Sequence, residues 1–186
     1  TVAEQLQQLA IVDSVKWIWK GNLRVPAEEK REDRFVSEDE PLHNEYGYSY
    51  KQIKMLNGTK LHEAGFRGEG MRVAVIDAGF MNADRVSAFD SLRLLGTHNV
   101  VFPGKSVFVG DDHGTKVLSC LAADIPGVMV GTAPKASYLL LKSEDSDSEY
   151  PVEEDYWTAA VEYADSAGVG VISSSLGYFA FDTDEL

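Results

Sequence analysis

The chain has 186 residues, a formal net charge of -13 and 44% hydrophobic residues, which suits a soluble globular protein with one sizeable core and room for a small appendage. Thirty carboxylates against 17 Lys and Arg exclude a nucleic-acid-binding or anionic-membrane surface, because phosphate would repel it, and favour cationic partners. No apolar run approaches the roughly 20 residues that cross a bilayer, and no basic-then-apolar signal peptide is present; Cys120 stands alone, so it makes no intrachain disulfide, and its apolar neighbours predict a buried small hydrophobe.

Ala3 to Leu9 reads as the end of a helix and Val12 to Trp19 as a strand, a small unit over residues 1–24. Residues 25–44 change composition: Glu28 to Arg34 and Ser37 to Glu40 are charged runs with nothing to bury, a linker. Its Lys30-Arg31 pair reads either as a processing site or as ordinary solvated linker. From residue 45 onward the pattern is that of a layered α/β domain. Gln52 to Ala64 is expected as a helix and Gly65 to Gly70 as a glycine-rich turn. Met71 to Ile76 is a near-continuous apolar run of the kind buried on both faces of a parallel sheet, and it ends at Asp77. Leu92 to Phe102 is β-prone, Thr115 to Ala123 is a helix opened by Gly114, Ser137 to Leu141 a strand, Val152 to Ala167 a helix and Val169 to Ser174 a strand. Strands alternating with helices predict a parallel sheet with helices on both faces. Sites in such sheets lie at the carboxyl ends of strands, where Asp77 and the run Ser175-Leu176-Gly177 fall.

Asp77 and His113 are the candidates for chemistry. A His that works as a general base is held in one tautomer by an acceptor at its other ring nitrogen, and a buried Asp at a strand end does this while stabilising the imidazolium. His113 opens a helix and is followed by Gly114, where a side chain would crowd a neighbouring strand, so the ring is aimed at a cleft. Taken singly, the Asp also reads as a turn residue and the His as a partly exposed capping residue.

Four blocks in order carry a more specific signal: Val73-Ala74-Val75-Ile76-Asp77-Ala78-Gly79, His113-Gly114-Thr115-Lys116-Val117, Gly131-Thr132-Ala133-Pro134-Lys135-Ala136 and Gly170-Val171-Ile172-Ser173-Ser174-Ser175-Leu176-Gly177. Together they resemble the successive blocks of the subtilisin-like serine proteases, whose chain order is Asp, His, Ser. The resemblance runs from Tyr46 to the end and implies a three-layer subtilisin-like α/β sheet, of which residues 45–186 are the N-terminal portion, incomplete at its C-terminal side. It implies that Asp77 orients the base, that His113 is the general base and acid, and that Ser175, Leu176 and Gly177 bind an extended peptide substrate by strand addition. Gly131 to Pro134 is expected to be structural, a tight turn entering the Ser137 strand. Ala78 stands where the family has Ser or Thr, which weakens the hydrogen bonding expected around Asp77.

The family's nucleophile lies in a Gly-Thr-Ser run, and here the Gly-Thr pairs at Gly58, Gly96, Gly114 and Gly131 continue into Lys60, His98, Lys116 and Ala133. A serine endopeptidase is therefore expected of a longer parent, with this chain inactive as it stands; a pseudoprotease or peptide-binding scaffold of the same fold is the alternative. The expected fragment would expose unfinished sheet, and would self-associate or pair with its missing C-terminal half. By the same resemblance residues 1–24 are expected to be the remnant of an inhibitory pro-segment, and the protein to be secreted or held in the cell envelope. No cofactor is expected to be required. The acidic stretch Glu144-Asp145-Ser146-Asp147-Ser148-Glu149 has three readings: a solvated loop, carboxylates that favour basic residues in a substrate, or a calcium site. A phospho-acceptor receiver domain would leave His-Gly-Thr without a task, and a dinucleotide fold would need its glycines after the strand, whereas Gly68 and Gly70 precede it.

Overall fold

The computed structural model describes residues 45–178 and 182. The helix-strand unit of 1–24 and the charged linker of 25–44 lie outside the described residues. In chain order come helices α1 (Tyr50–Met55) and α2 (Gly58–Glu63), strands β1 (Arg72–Asp77) and β2 (Arg93–Asn99), helix α3 (His113–Ala122), the short strands β3 (Asp124–Ile125) and β4 (Met129–Val130), strand β5 (Ser137–Lys142), helix α4 (Val152–Ser166) and strand β6 (Val171–Ser174). The single helix expected over Gln52 to Ala64 is two. Asn57 adopts the left-handed conformation, φ 58°, and breaks the run; Asn followed by Gly is the residue pair best suited to stop a helix there.

The main sheet has the order β2-β5-β1-β6, and all its pairs are parallel. Val73 to Ile76 are buried throughout, as a strand covered on both sides requires. Side chains alternate across it. Val73 and Val75 join Phe80, Leu118, Ala122, Tyr138 and Leu140 on the α3 side, whereas Ala74 and Ile76 join Leu139, Leu141, Ala160 and Ala164 on the α4 side. Helices therefore cover both faces, the three-layer architecture the sequence pattern predicts. β6 pairs with β1 along one edge, and its Val171 and Ile172 are 46% and 39% exposed.

Gly131 to Pro134 proves structural. The amides of Gly131, Thr132 and Ala133 donate to the carbonyls of Ala123, Cys120 and Leu121, clipping the turn to the end of α3. Cys120 corrects an expectation, because it is exposed rather than buried. The inward stripe of α3 is Gly114, Leu118 and Ala122, spaced by four, and a residue two places after Leu118 points to the other side of the helix. Among the described residues no helix is long and apolar enough to cross a membrane.

Candidate active site

The period-2 alternation that puts Val73 and Val75 on the α3 face puts Asp77 there too, at the carboxyl end of β1. α3 begins at His113, and its first turn is pressed against that strand end. Gly114 makes the approach achievable: a Cβ there would lie 2.5 Å from the Gly79 carbonyl oxygen, 2.8 Å from a Phe80 ring carbon and 2.9 Å from the Asp77 Cβ. The turn is fixed further by the His113 amide donating to Asp111 Oδ1 at 2.6 Å and by Thr115 Oγ1 donating to the Met81 carbonyl at 2.9 Å.

The result is a hydrogen bond of 2.8 Å between His113 Nδ1 and Asp77 Oδ1. The Asp77 side chain is fully buried and that of His113 is 53% exposed. Nδ1 is thus held as the donor, while Nε2 lies on the opposite side of the ring, where an acceptor-ready nitrogen is needed for base chemistry. Burial pushes the Asp77 carboxyl up from the ordinary aspartate value, opposed by the hydrogen bonds from His113 and from the Ala78 amide at 2.8 Å. The hydrogen bond to Asp77 pushes the His113 imidazole above its ordinary value, with burial acting the other way. Oδ1 takes both bonds; Oδ2 is buried without a hydrogen-bond partner.

A residue that sequence reasoning misses stands beside the pair. Lys142 is the register partner of Asp77 on β5, and the same alternation puts it on the α3 face. It is buried, and its Nζ donates to the Ala78 carbonyl, so the turn that aims the Ala78 amide at Asp77 is tied at both ends. The signal available in the sequence is a Lys closing an apolar strand.

Ser175, Leu176 and Gly177 continue β6, whose Ser174 pairs with Ile76, so the run passes alongside the end of β1. Leu176 packs on the α4-side core, and Ser175 and Gly177 are exposed. Trp157 Nε1 donates to Ser174 Oγ at 2.9 Å and anchors the start of the run to α4. The acidic stretch after β5 is only partly solvated. Burial holds Glu144 up at about 7, and it lies near enough to Asp77 and His113 for their charges to act on it. Glu153, in the first turn of α4, is 2% exposed, and burial holds it up at about 8. Among the described residues no group of three or more His, Cys, Asp and Glu is arranged to hold a metal ion.

No protein-family model matches the chain. Subtilisin E of Bacillus subtilis (strain 168) is 31% identical over 147 residues, which are 77% of this chain and 36% of that protein. The Major intracellular serine protease of the same organism is 30% identical over 133 residues, 67% of this chain and 40% of that protein. The chain therefore spans little more than a third of the length of these relatives. Among solved structures, MycP1 with its N-terminal propeptide removed superposes with a TM-score of 0.50 at 22% identity, covering 67% of this chain and 36% of that one, a likeness of fold.

Proposed function

From a chain that is subtilisin-like in sequence and in fold, we propose the Asp- and His-bearing part of a serine endopeptidase, with Asp77 as the orienting carboxylate and His113 as the general base and acid. One observation carries the reading: a fully buried carboxylate bonded at 2.8 Å to Nδ1 of a half-exposed imidazole at the open end of a parallel sheet. In the reaction His113 Nε2 takes the proton of a serine hydroxyl as the oxygen attacks the peptide carbonyl, and returns it to the leaving amine. Asp77 stabilises the imidazolium between the two transfers. A serine in the family's Gly-Thr-Ser setting does not occur within these 186 residues, so the nucleophile comes from outside them and the chain alone is inactive. Ser175, Leu176 and Gly177 present the backbone along which an extended protein or peptide substrate lies.

Residues 1–24 serve as a pro-segment remnant in this reading, and the parent works outside the cytoplasm. The test is covalent labelling of the parent polypeptide with a fluorophosphonate. Labelling and peptide hydrolysis are expected in the parent and absent in the 186-residue chain, and His113→Ala in the parent is expected to lower kcat by about 10⁴-fold or more. Hydrolysis that survives His113→Ala within about tenfold would exclude this role for the pair, and a parent that binds peptide without labelling would be a scaffold.

A further inference from the structure

Asp111, two residues before α3, is held against both pieces of chain that carry the Asp77–His113 pair. Its carbonyl accepts the Met81 amide at 2.9 Å, in the turn that leaves β1. Gly79 leaves no gap in that turn, since a Cβ there would lie 2.8 Å from the Asp111 carbonyl oxygen and 3.3 Å from the Asp111 Cβ. On the other side Asp111 Oδ1 accepts the His113 amide at 2.6 Å. The neighbouring acid is neutralised, because Lys116 Nζ meets Asp112 Oδ1 at 2.8 Å. Among the described residues no ion pair involves Asp111, so its charge is left to act on the pair. The hydrogen bond to Asp77 is the foremost cause that raises the His113 imidazole, and the charge of Asp111 adds to it. Burial is foremost in raising the Asp77 carboxyl, and Asp111 adds there too. Beside a neutral ring the two carboxylates repel each other; an imidazolium relieves both.

We propose that Asp111 is a positioning residue of the reaction: its carboxylate holds the start of α3 so that the His113 ring meets Asp77, and its charge stabilises the imidazolium that forms between the two proton transfers. The inference rests on the peptidase reading for the reaction and goes beyond it in giving the pair a second carboxylate. The amide of His113 is one of the helix-start donors that have no partner within the helix, and Asp111 takes it without any need of charge. The charge has a separate effect, felt at the ring. The other charged groups around the ring are Asp77 at the end of β1, Glu144 in the loop after β5 and, along α3, the Lys116–Asp112 pair, while Lys142 on β5 is tied to the Ala78 carbonyl. Glu144, held up at about 7 by burial, carries only part of its charge at neutral pH. Asp111 differs from it in also gripping the helix that bears the ring.

Two substitutions separate the bond from the charge. Asp111→Asn keeps an oxygen for the His113 amide and removes the charge; Asp111→Ala removes both. His113 is followed in the 186-residue chain by its C2-proton titration and by the downfield resonance of its Nδ1 proton, and in the parent by the pH dependence of kcat/KM. In Asp111→Asn the titration midpoint is expected to fall, by less than in Asp77→Asn, with the downfield resonance kept and the fall shrinking as salt rises. In the parent the acid limb should fall with it, and the plateau of kcat/KM should drop about two- to fivefold. In Asp111→Ala the same fall is expected together with loss of the downfield resonance and a lower melting temperature. The acid limb in the parent reads the same charge effect if a variant of the 186-residue chain does not fold. An unmoved midpoint in Asp111→Asn, loss of the downfield resonance in that variant, or a resonance that persists in Asp111→Ala would each overturn the proposal. The two readings fail separately. A lowered midpoint beside a parent that neither labels nor hydrolyses would sustain the link from Asp111 to the pair and refute the peptidase; hydrolysis with an unmoved midpoint would do the reverse.

Discussion

Two buried acids at the same end of the sheet have opposite fates. Asp77 is fully buried, yet its Oδ1 collects an imidazole N–H and a backbone amide, and its neighbour Lys142 secures the turn that supplies the amide. Glu153 is almost as deeply buried, and its relief is a single bond to the Tyr150 backbone while Glu144 and Glu149 press the other way. The difference lies in what the backbone delivers. Asp77 ends a strand whose register and alternation bring a helix start and a lysine to its face, while Glu153 sits in a first helical turn packed against other carboxylates. Burial is the foremost cause that raises both acids; at Asp77 the bonds from His113 and the Ala78 amide oppose it, whereas at Glu153 the charges of Glu144 and Glu149 add to it and the Tyr150 backbone opposes.

Closing the gap at Gly114 is the most severe way to break the first region. Gly114→Ala drives a Cβ to 2.5 Å from a backbone oxygen, which cannot rotate away, so the helix start must lift from β1. A loss of about 3 kcal/mol is expected in urea denaturation, together with loss of the downfield imidazole proton resonance that a short Nδ1–H to carboxylate bond produces. Stability within about 0.5 kcal/mol of the parent sequence would show that the close approach is not needed.

Glu153 gives the next largest effect, and it depends on pH. Its folded value, about 8, lies above that of an exposed Glu, so between the two values the folded chain holds one proton more than the unfolded chain. Stability from this group is full below the unfolded value and is lost as pH rises through about 8. Glu144, held up at about 7, contributes with the same sign. Glu153→Gln is expected to flatten the decline and to be the more stable protein at the alkaline end by about 1–2 kcal/mol. Parallel stability profiles for the two proteins would mean that Glu153 is solvated or paired in solution.

Asp77→Asn sharpens the other half of the comparison. His113 titrates above the ordinary His value because Asp77 accepts its Nδ1 proton, and a neutral amide removes the charge while keeping the shape. The C2-proton titration of His113 should move down in pH, and the acid limb of activity in the parent should move with it. His113's contribution to stability is present below the ordinary His value and disappears as pH rises through the raised one, a window that Asp77→Asn should narrow. An unmoved titration would remove the hydrogen bond as its cause.

Legibility in the sequence follows how local the deciding forces are. The apolar run ending at Asp77, the alternation that chooses its face and the glycine that admits α3 are all patterns within a few residues, and they suffice to single out Asp77 and His113 as partners. Cys120 misleads because its neighbours in sequence are apolar while the helix period turns it outward, and a count of neighbours misses phase. The break at Asn57 escapes a reading by apolar spacing, though Asn-Gly announces it. Lys142 and Glu153 are invisible for a deeper reason. A charged residue is assigned to solvent by default, and only the packing of β5 and α4 against the rest of the fold shows that these two are inside.

The smallest expected effect concerns the edge beyond β6, one strand away from the pair. Val171 and Ile172 present apolar surface on a strand that, among the described residues, is bonded along one side, and a strand edge of that kind is a template for another chain. Self-association of the 186-residue chain through this edge follows as a proposal, visible as concentration-dependent sedimentation and binding of a hydrophobic dye. Ile172→Lys places a charge where a second strand would dock, on the α4 face set by its pairing with Ala74 and away from the α3-side core that carries Asp77. It should weaken association severalfold and leave the His113 titration unchanged, because surface charge is local in its effect while the pair is held by bonds across β1, α3 and β5. A compact monomer that ignores the dye, in the original chain, would remove the edge from the account.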